Sequence, residues 1–229
     1  MLNSVSPQKL HRTKEEYVYD ALRTAITRCE LKPGEKLVID TLSAELGVSP
    51  IPVRSALQRL QAEGFVEITP HTGTIVSEIS PDTVNEIFAL LEALESVAVS
   101  VAASKATAAD IANLRQLIDE METALQAGDS DLWYDLNDRF HLAIAQITQM
   151  KMLIRFTSRA LDSRDRLRNL YMGSFVSTRM SVAQVEHCQM IDLIESHNVE
   201  GLKPLVTQHN HRARDAYQEL LKNQVVLST

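Results

Sequence analysis

The chain has 229 residues, 45% of them apolar and 23% charged, with a formal net charge of −7, which is enough for one or two soluble domains and leaves no bulk positive field for a polyanion. Two cysteines without a CxxC pair exclude a disulfide framework. The N-terminal MLNSVSPQKLHR lacks the apolar core of a secretory signal, and the longest uncharged apolar run, around Val97 to Ala103, is too short for a bilayer. A reduced, cytoplasmic protein without a membrane partner is expected.

Glycine and proline number only seven each, which favours long helices over a turn-rich β fold. Residues 13–30 carry Val18, Ala21, Leu22, Ala25 and Ile26 at helical spacing and end at a Lys-Pro-Gly turn. A short helix over 41–46 follows, with Asp40 as its expected N-cap and Gly47 as its stop. A third helix runs over 50–63, with Ser49 at the N-cap and Pro50 at the first helical position, where a missing N–H costs nothing. Phe65–Ile68 and Thr74–Val76 read as a β-hairpin around Thr69-Pro70-His71-Thr72-Gly73. Beyond Ser80-Pro81-Asp82 everything reads as helix, in six segments over about 82–104, 107–127, 130–148, 150–170, 179–196 and 199–222. The expected fold is therefore mainly α. Residues 1–79 form a winged helix-turn-helix with a small β-hairpin, and residues 80–229 form an antiparallel all-α bundle of about six helices.

Two short helices joined by a glycine turn and followed by a hairpin form a unit whose second helix fits the DNA major groove. Arg54 lies in the first turns of that helix, in reach of a guanine edge or a phosphate. Ser49 and the free N–H groups of the helix start suit a phosphate. Gly73 and Thr72 let the hairpin tip approach a duplex closely, with His71 beside them. Residues 1–80 hold nine Lys and Arg against ten Asp and Glu, so this assignment rests on pattern and not on charge.

Residues 17–78 resemble the DNA-binding domain of the GntR family of bacterial transcription regulators. The matching strings are Leu31-Lys32-Pro33-Gly34-Glu35-Lys36-Leu37, Leu42-Ser43-Ala44-Glu45-Leu46-Gly47-Val48-Ser49, Pro52-Val53-Arg54-Ser55-Ala56-Leu57, Leu60-Gln61-Ala62-Glu63-Gly64 and Gly73. The resemblance implies DNA contacts from Ser49, Pro50, Ile51, Arg54, His71 and Gly73. Where the family commonly has Arg-Thr this chain has Pro50-Ile51, and a cation of some relatives is replaced by Asp40. These departures bear on the operator sequence and leave the expectation of DNA binding intact.

In the C-terminal part, three of the seven histidines fall on apolar stripes. His141 shares a face with Trp133, Asn137 and Ile144, His187 with Ala183, Met190 and Ile194, and His209 with Leu202, Leu205 and Val206. Asn137 and His141 are one helical turn apart. Either these are three separate core histidines, or they form one site for zinc, nickel, manganese or iron with an oxygen donor from Asn137. Arg164, in phase with Leu153, Ala160 and Leu167, is the arginine of the fourth bundle helix that faces inward, where it can hold a carboxylate.

Residues 83–217 resemble the FadR-type effector domain, called the FCD domain, through Phe88 to Glu95 with Ala102-Ala103, Phe140-His141, Glu186-His187 and His209. The resemblance implies a divalent metal held by an Asp and three His. The Asp position is Asn137 here, and a family arginine is Leu91. Together these expectations describe a regulator that is not an enzyme, a homodimer on double-stranded operator DNA that answers to a small organic acid effector. A metal-dependent helical-bundle enzyme and a metal sensor without an organic effector are the competing readings. No HExxH, GxSxG or phosphate-loop motif supports the enzyme.

Overall fold

The computed structural model describes residues 13–70, 72–171 and 177–227. They fall into two compact units: one runs up to Ser80 and takes in Asp165–Leu170, and the other holds Pro81–Arg164 and the residues from Tyr171 onward.

The first unit begins with α1 (Lys14–Thr27), which starts at a reciprocal capping box: the Thr13 side chain accepts from the Glu16 backbone and Glu16 accepts from the Thr13 backbone. Next come β1 (Lys36–Leu37), α2 (Ile39–Leu46), α3 (Pro50–Ala62), β2 (Val66–Thr69) and β3 (Gly73–Val76). α2 starts earlier than the sequence suggests: Val38 takes the N-cap position and Asp40 sits in the first turn. Gly47, at φ 65°, ends α2 in the left-handed conformation that costs glycine least. Ser49 and Pro50 begin α3 as expected, although the Ser49 side chain makes no capping bond. The hairpin is the larger part of a three-stranded antiparallel sheet in the order β1-β3-β2, with Lys36 opposite Ile75 and Thr69 opposite Gly73. β1 escapes sequence reading because two residues carry no alternation. The core joins Val18, Leu22 and Ile26 of α1 to Val53, Leu57 and Leu60 of α3, closed by Phe65, Val66 and Val76.

The second unit consists of α4 (Pro81–Lys105), α5 (Ala108–Ala127), α6 (Ser130–Ile147), the first two-thirds of α7 (Lys151–Tyr171), α8 (Ser177–Glu195) and α9 (Val199–Leu227). Between the expected helical segments over 150–170 and 179–196, residues 172–176 lie outside the described residues. Thr107 and Asp110 cap α5 reciprocally, Gly128 ends it at φ 71°, and Asp129 caps α6 through the Leu132 N–H. α4 packs against α6, α8 and α9, and α5 against α6 and α8. The shared core includes Leu114, Met121, Phe140, Met190, Ile194 and Val206. By length and composition α4 could cross a membrane. Its Leu91, Val99, Ala102 and Ala103 instead line the protein core, while Leu90 and Val97 stand outward, 48% and 45% exposed.

Candidate functional site

The first candidate surface is the start of α3. Ser49, Pro50 and Arg54 are exposed, and Ile51 is 75% exposed, unusual for so large an apolar side chain. The two arginines of α3 differ in kind. Arg59 is committed to the fold: its guanidinium lies 3.6 Å from the centroid of the Tyr19 ring and 3.6 Å from Glu63, which also accepts from the Tyr19 hydroxyl at 2.5 Å. Arg54 has no ion-pair or hydrogen-bond partner among the described residues. Gly73 adopts φ 114°, and a Cβ there would meet Lys36 at 3.4 Å. Lys36 therefore lies beside the hairpin tip, a cation that the sequence shows only as one residue of a family-matching string. His71 lies outside the described residues.

The second site is buried in the helical unit. His141 on α6, His187 on α8 and His209 on α9 converge, with ring centroids 4.9 to 5.3 Å apart and candidate ligand atoms within 4.8 Å of one another. Two carboxylates stand behind two of the rings. Glu95 Oε1 of α4 lies 3.1 Å from His141 Nδ1, and Glu186 Oε2 of α8 lies 2.7 Å from His209 Nδ1. The hydrogen bond to Glu186 makes Nδ1 the outward nitrogen of His209, the usual support of a metal-bound imidazole, whereas Glu95 and His141 are in close contact without hydrogen-bond geometry. Nε2 of His141 and both nitrogens of His187 are buried without a hydrogen-bond partner among the described residues. Three convergent imidazoles with orphaned nitrogens and carboxylates behind them fit a divalent metal.

The electrostatics agree. Burial raises the pKa of Glu95, but His141, His209 and Arg164 outweigh it and bring the carboxyl to about 2. Burial likewise raises Glu186, and His209, Arg179 and Arg212 bring it to about 2. Burial first, then the charges of His209 and His141, pushes the His187 pKa well below its ordinary value. For His209, burial outweighs the Glu186 hydrogen bond and lowers the pKa to about 4. Near neutrality the cluster thus combines ionised carboxylates with neutral His187 and His209 rings, the protonation state a metal requires.

A small, half-open pocket adjoins the cluster, lined by Asn137, Arg164 and His209 among others. Asn137 is buried, one turn before His141, and donates its amide to Asp138 at 3.3 Å, so its carbonyl oxygen has no partner among the described residues. Arg164 reaches the cavity as expected, but its guanidinium is already paired with Asp138. Arg179, which sequence reading passed over, lines the same cavity while pairing with Glu186 at 3.0 Å. Glu95 and Glu186 were visible only as parts of family motifs, since a carboxylate on a helix gives no sign of which ring it will face. His197 and His211 stand apart: His197 donates its Nδ1–H to the Ala103 carbonyl, and His211 lies 3.2 Å from Glu92.

Residues 14–76 match the gntR family of bacterial regulatory proteins, and residues 86–212 match the FCD domain. The chain is 24% identical over 205 residues to the HTH-type transcriptional repressor RspR of Escherichia coli, covering 90% of this chain and 89% of that one. It is 33% identical over 123 residues to the HTH-type transcriptional regulator McbR of Escherichia coli, covering 54% and 56%. The solved structure of E. coli McbR/YncC superposes with a TM-score of 0.78 at 22% identity, over 91% of this chain and 98% of that one.

Proposed function

The chain belongs to the gntR-type bacterial transcription regulators that carry an FCD domain, and from that premise we propose that it binds operator DNA as a homodimer and answers to a small organic acid held beside a divalent metal. The reading takes residues 1–79 as the DNA-binding domain and 80–229 as a FadR-type effector domain, in a cytoplasmic protein. Repression of its target is the favoured sense, by analogy with a relative named as a repressor.

The single observation that carries the effector half is the convergence of His141, His187 and His209 with the Glu95 and Glu186 carboxylates behind two of the rings. His141, His187 and His209 would hold the metal, with Asn137 adding a neutral oxygen, and the ion would supply a Lewis-acidic anchor for an anion. Asn137 brings no charge, so part of the cation's charge stays available to the effector. Arg164 and Arg179 line the cavity, each partly neutralised by Asp138 and Glu186. They tune the anion's site without crowding it with free cations.

At the DNA, Ser49, Pro50 and Arg54 serve the first turns of α3. Ile51 suits a thymine methyl group, and Gly73, with His71, suits the hairpin tip. A two-fold operator calls for two copies of α3. The outward face of α4, with Leu90, Ala93 and Val97, supports pairing of two chains.

The test is metal analysis of the purified protein and of His187→Ala, with gel shifts on the upstream DNA in the presence and absence of organic acids. The reading expects metal in the wild type, loss of it in the variant, and acid-dependent release of DNA that a chelator abolishes. Equal metal content in both proteins would overturn the metal site.

A further inference from the structure

Trp133, the only tryptophan in the chain, lies on α6 one turn before Asn137 and two before His141, on the same face. It lines the cavity beside the histidine cluster, and its ring stacks on His187 with centroids 6.1 Å apart. The side chain is 2% exposed, and its Nε1–H has no hydrogen-bond partner among the described residues. A buried indole normally finds an acceptor, and a buried donor left without one costs free energy. The surroundings do not explain the tryptophan as packing alone, since phenylalanine, already used at Phe140 in the same core, carries no donor to satisfy.

We propose that Trp133 is the specificity-determining residue of this cavity. Its N–H donates to an oxygen of the effector other than the carboxylate held at the metal. The proposal rests on the metal-and-anion reading above and narrows it. The cavity favours a small carboxylate bearing a second acceptor oxygen over the plain alkanoate of the same size. The reason is that an alkanoate would leave the indole N–H buried and unpaired, and sites built around a hydrogen bond reject analogues that lack its partner.

A single tryptophan makes the donor separable from the ring. Biosynthetic replacement by benzothienylalanine puts sulfur in place of the N–H at nearly the same volume, and Trp133→Phe removes the donor by an independent route. The zinc-loaded full-length protein is titrated with lactate and with propionate by calorimetry, and zinc affinity is measured separately by competition with a chelating dye. The wild type is expected to prefer lactate. In both replaced proteins lactate binding should weaken by about tenfold or more, with propionate and zinc binding unchanged. If lactate and propionate weaken together, or neither changes, Trp133 is a packing residue and the inference falls, while the metal-and-anion reading stands. If the wild type binds no zinc, or neither acid, that arm alone overturns both.

Discussion

The Glu186 carboxylate lies 2.7 Å from Nδ1 of His209, both side chains buried, with Arg179 and Arg212 on the same carboxylate. One acidic group on α8 thereby sets the tautomer of a ring on α9 and holds two cations at the rim of the site. Removing its charge is expected to disturb ring orientation and basicity together. Glu186→Gln should lower zinc affinity by roughly 10- to 100-fold, read by competition with a chelating dye. An unchanged affinity would show that the ring orients itself without this carboxylate.

Arg54 and Arg59 should separate cleanly. Arg54→Ala is expected to cost about 1–3 kcal/mol of operator binding at fixed salt and to leave thermal stability alone, since Arg54 has no partner among the described residues. Arg59→Ala should lower the melting temperature instead, by losing the stacking on Tyr19 and the contact with Glu63, worth about 1 kcal/mol. Fluorescence anisotropy on operator DNA and thermal unfolding of both variants check the pair.

Asn137→Asp adds a negative charge beside three neutral ligands. It should tighten zinc and weaken an anionic effector, since it neutralises part of the cation's charge. Zinc competition and calorimetry with lactate are expected to move in opposite directions. Movement in the same direction would argue that Asn137 stands off the metal.

The Tyr19 phenol has its pKa raised above the ordinary value, first by burial and then by its hydrogen bond to Glu63. The protonated form is thus the one the folded state favours. Its stabilisation is fully present below the unfolded-state pKa near 10 and is lost as pH rises through the higher folded-state value. Tyr19→Phe should therefore unfold at a lower temperature than wild type at pH 7, and the gap should narrow above about pH 10. A constant gap across that range would remove the hydrogen bond as its cause.

In sedimentation the wild type should run at the mass of two chains at micromolar concentration. Val97→Asp, on the outward face of α4, should shift it toward one. A charge on an apolar contact is costly once buried, whereas on a surface left in water it changes little. An unaltered dimer would assign the pairing to another face.

Some of this architecture was legible residue by residue. Helical spacing, the Gly47 stop and the start of α3 at Ser49 and Pro50 are local properties, governed by contacts within about one turn, and the structure keeps them. The in-phase placement of His141, His187 and His209 was legible for the same reason, because each need only point inward from its own helix.

What only the tertiary structure decided is which inward groups meet. Three helices, α6, α8 and α9, bring the rings together, and two more groups, Glu95 and Glu186, arrive behind them. Arg164 was readable as inward, but its capture by Asp138 was not, nor was the arrival of Arg179 in the same cavity. The division between Arg54 and Arg59 was hidden likewise, because Tyr19 lies on another helix. Periodicity specifies the direction of a side chain relative to its own axis. The partner it finds depends on how the axes pack, and that is settled by the summed burial of many residues rather than by any one of them.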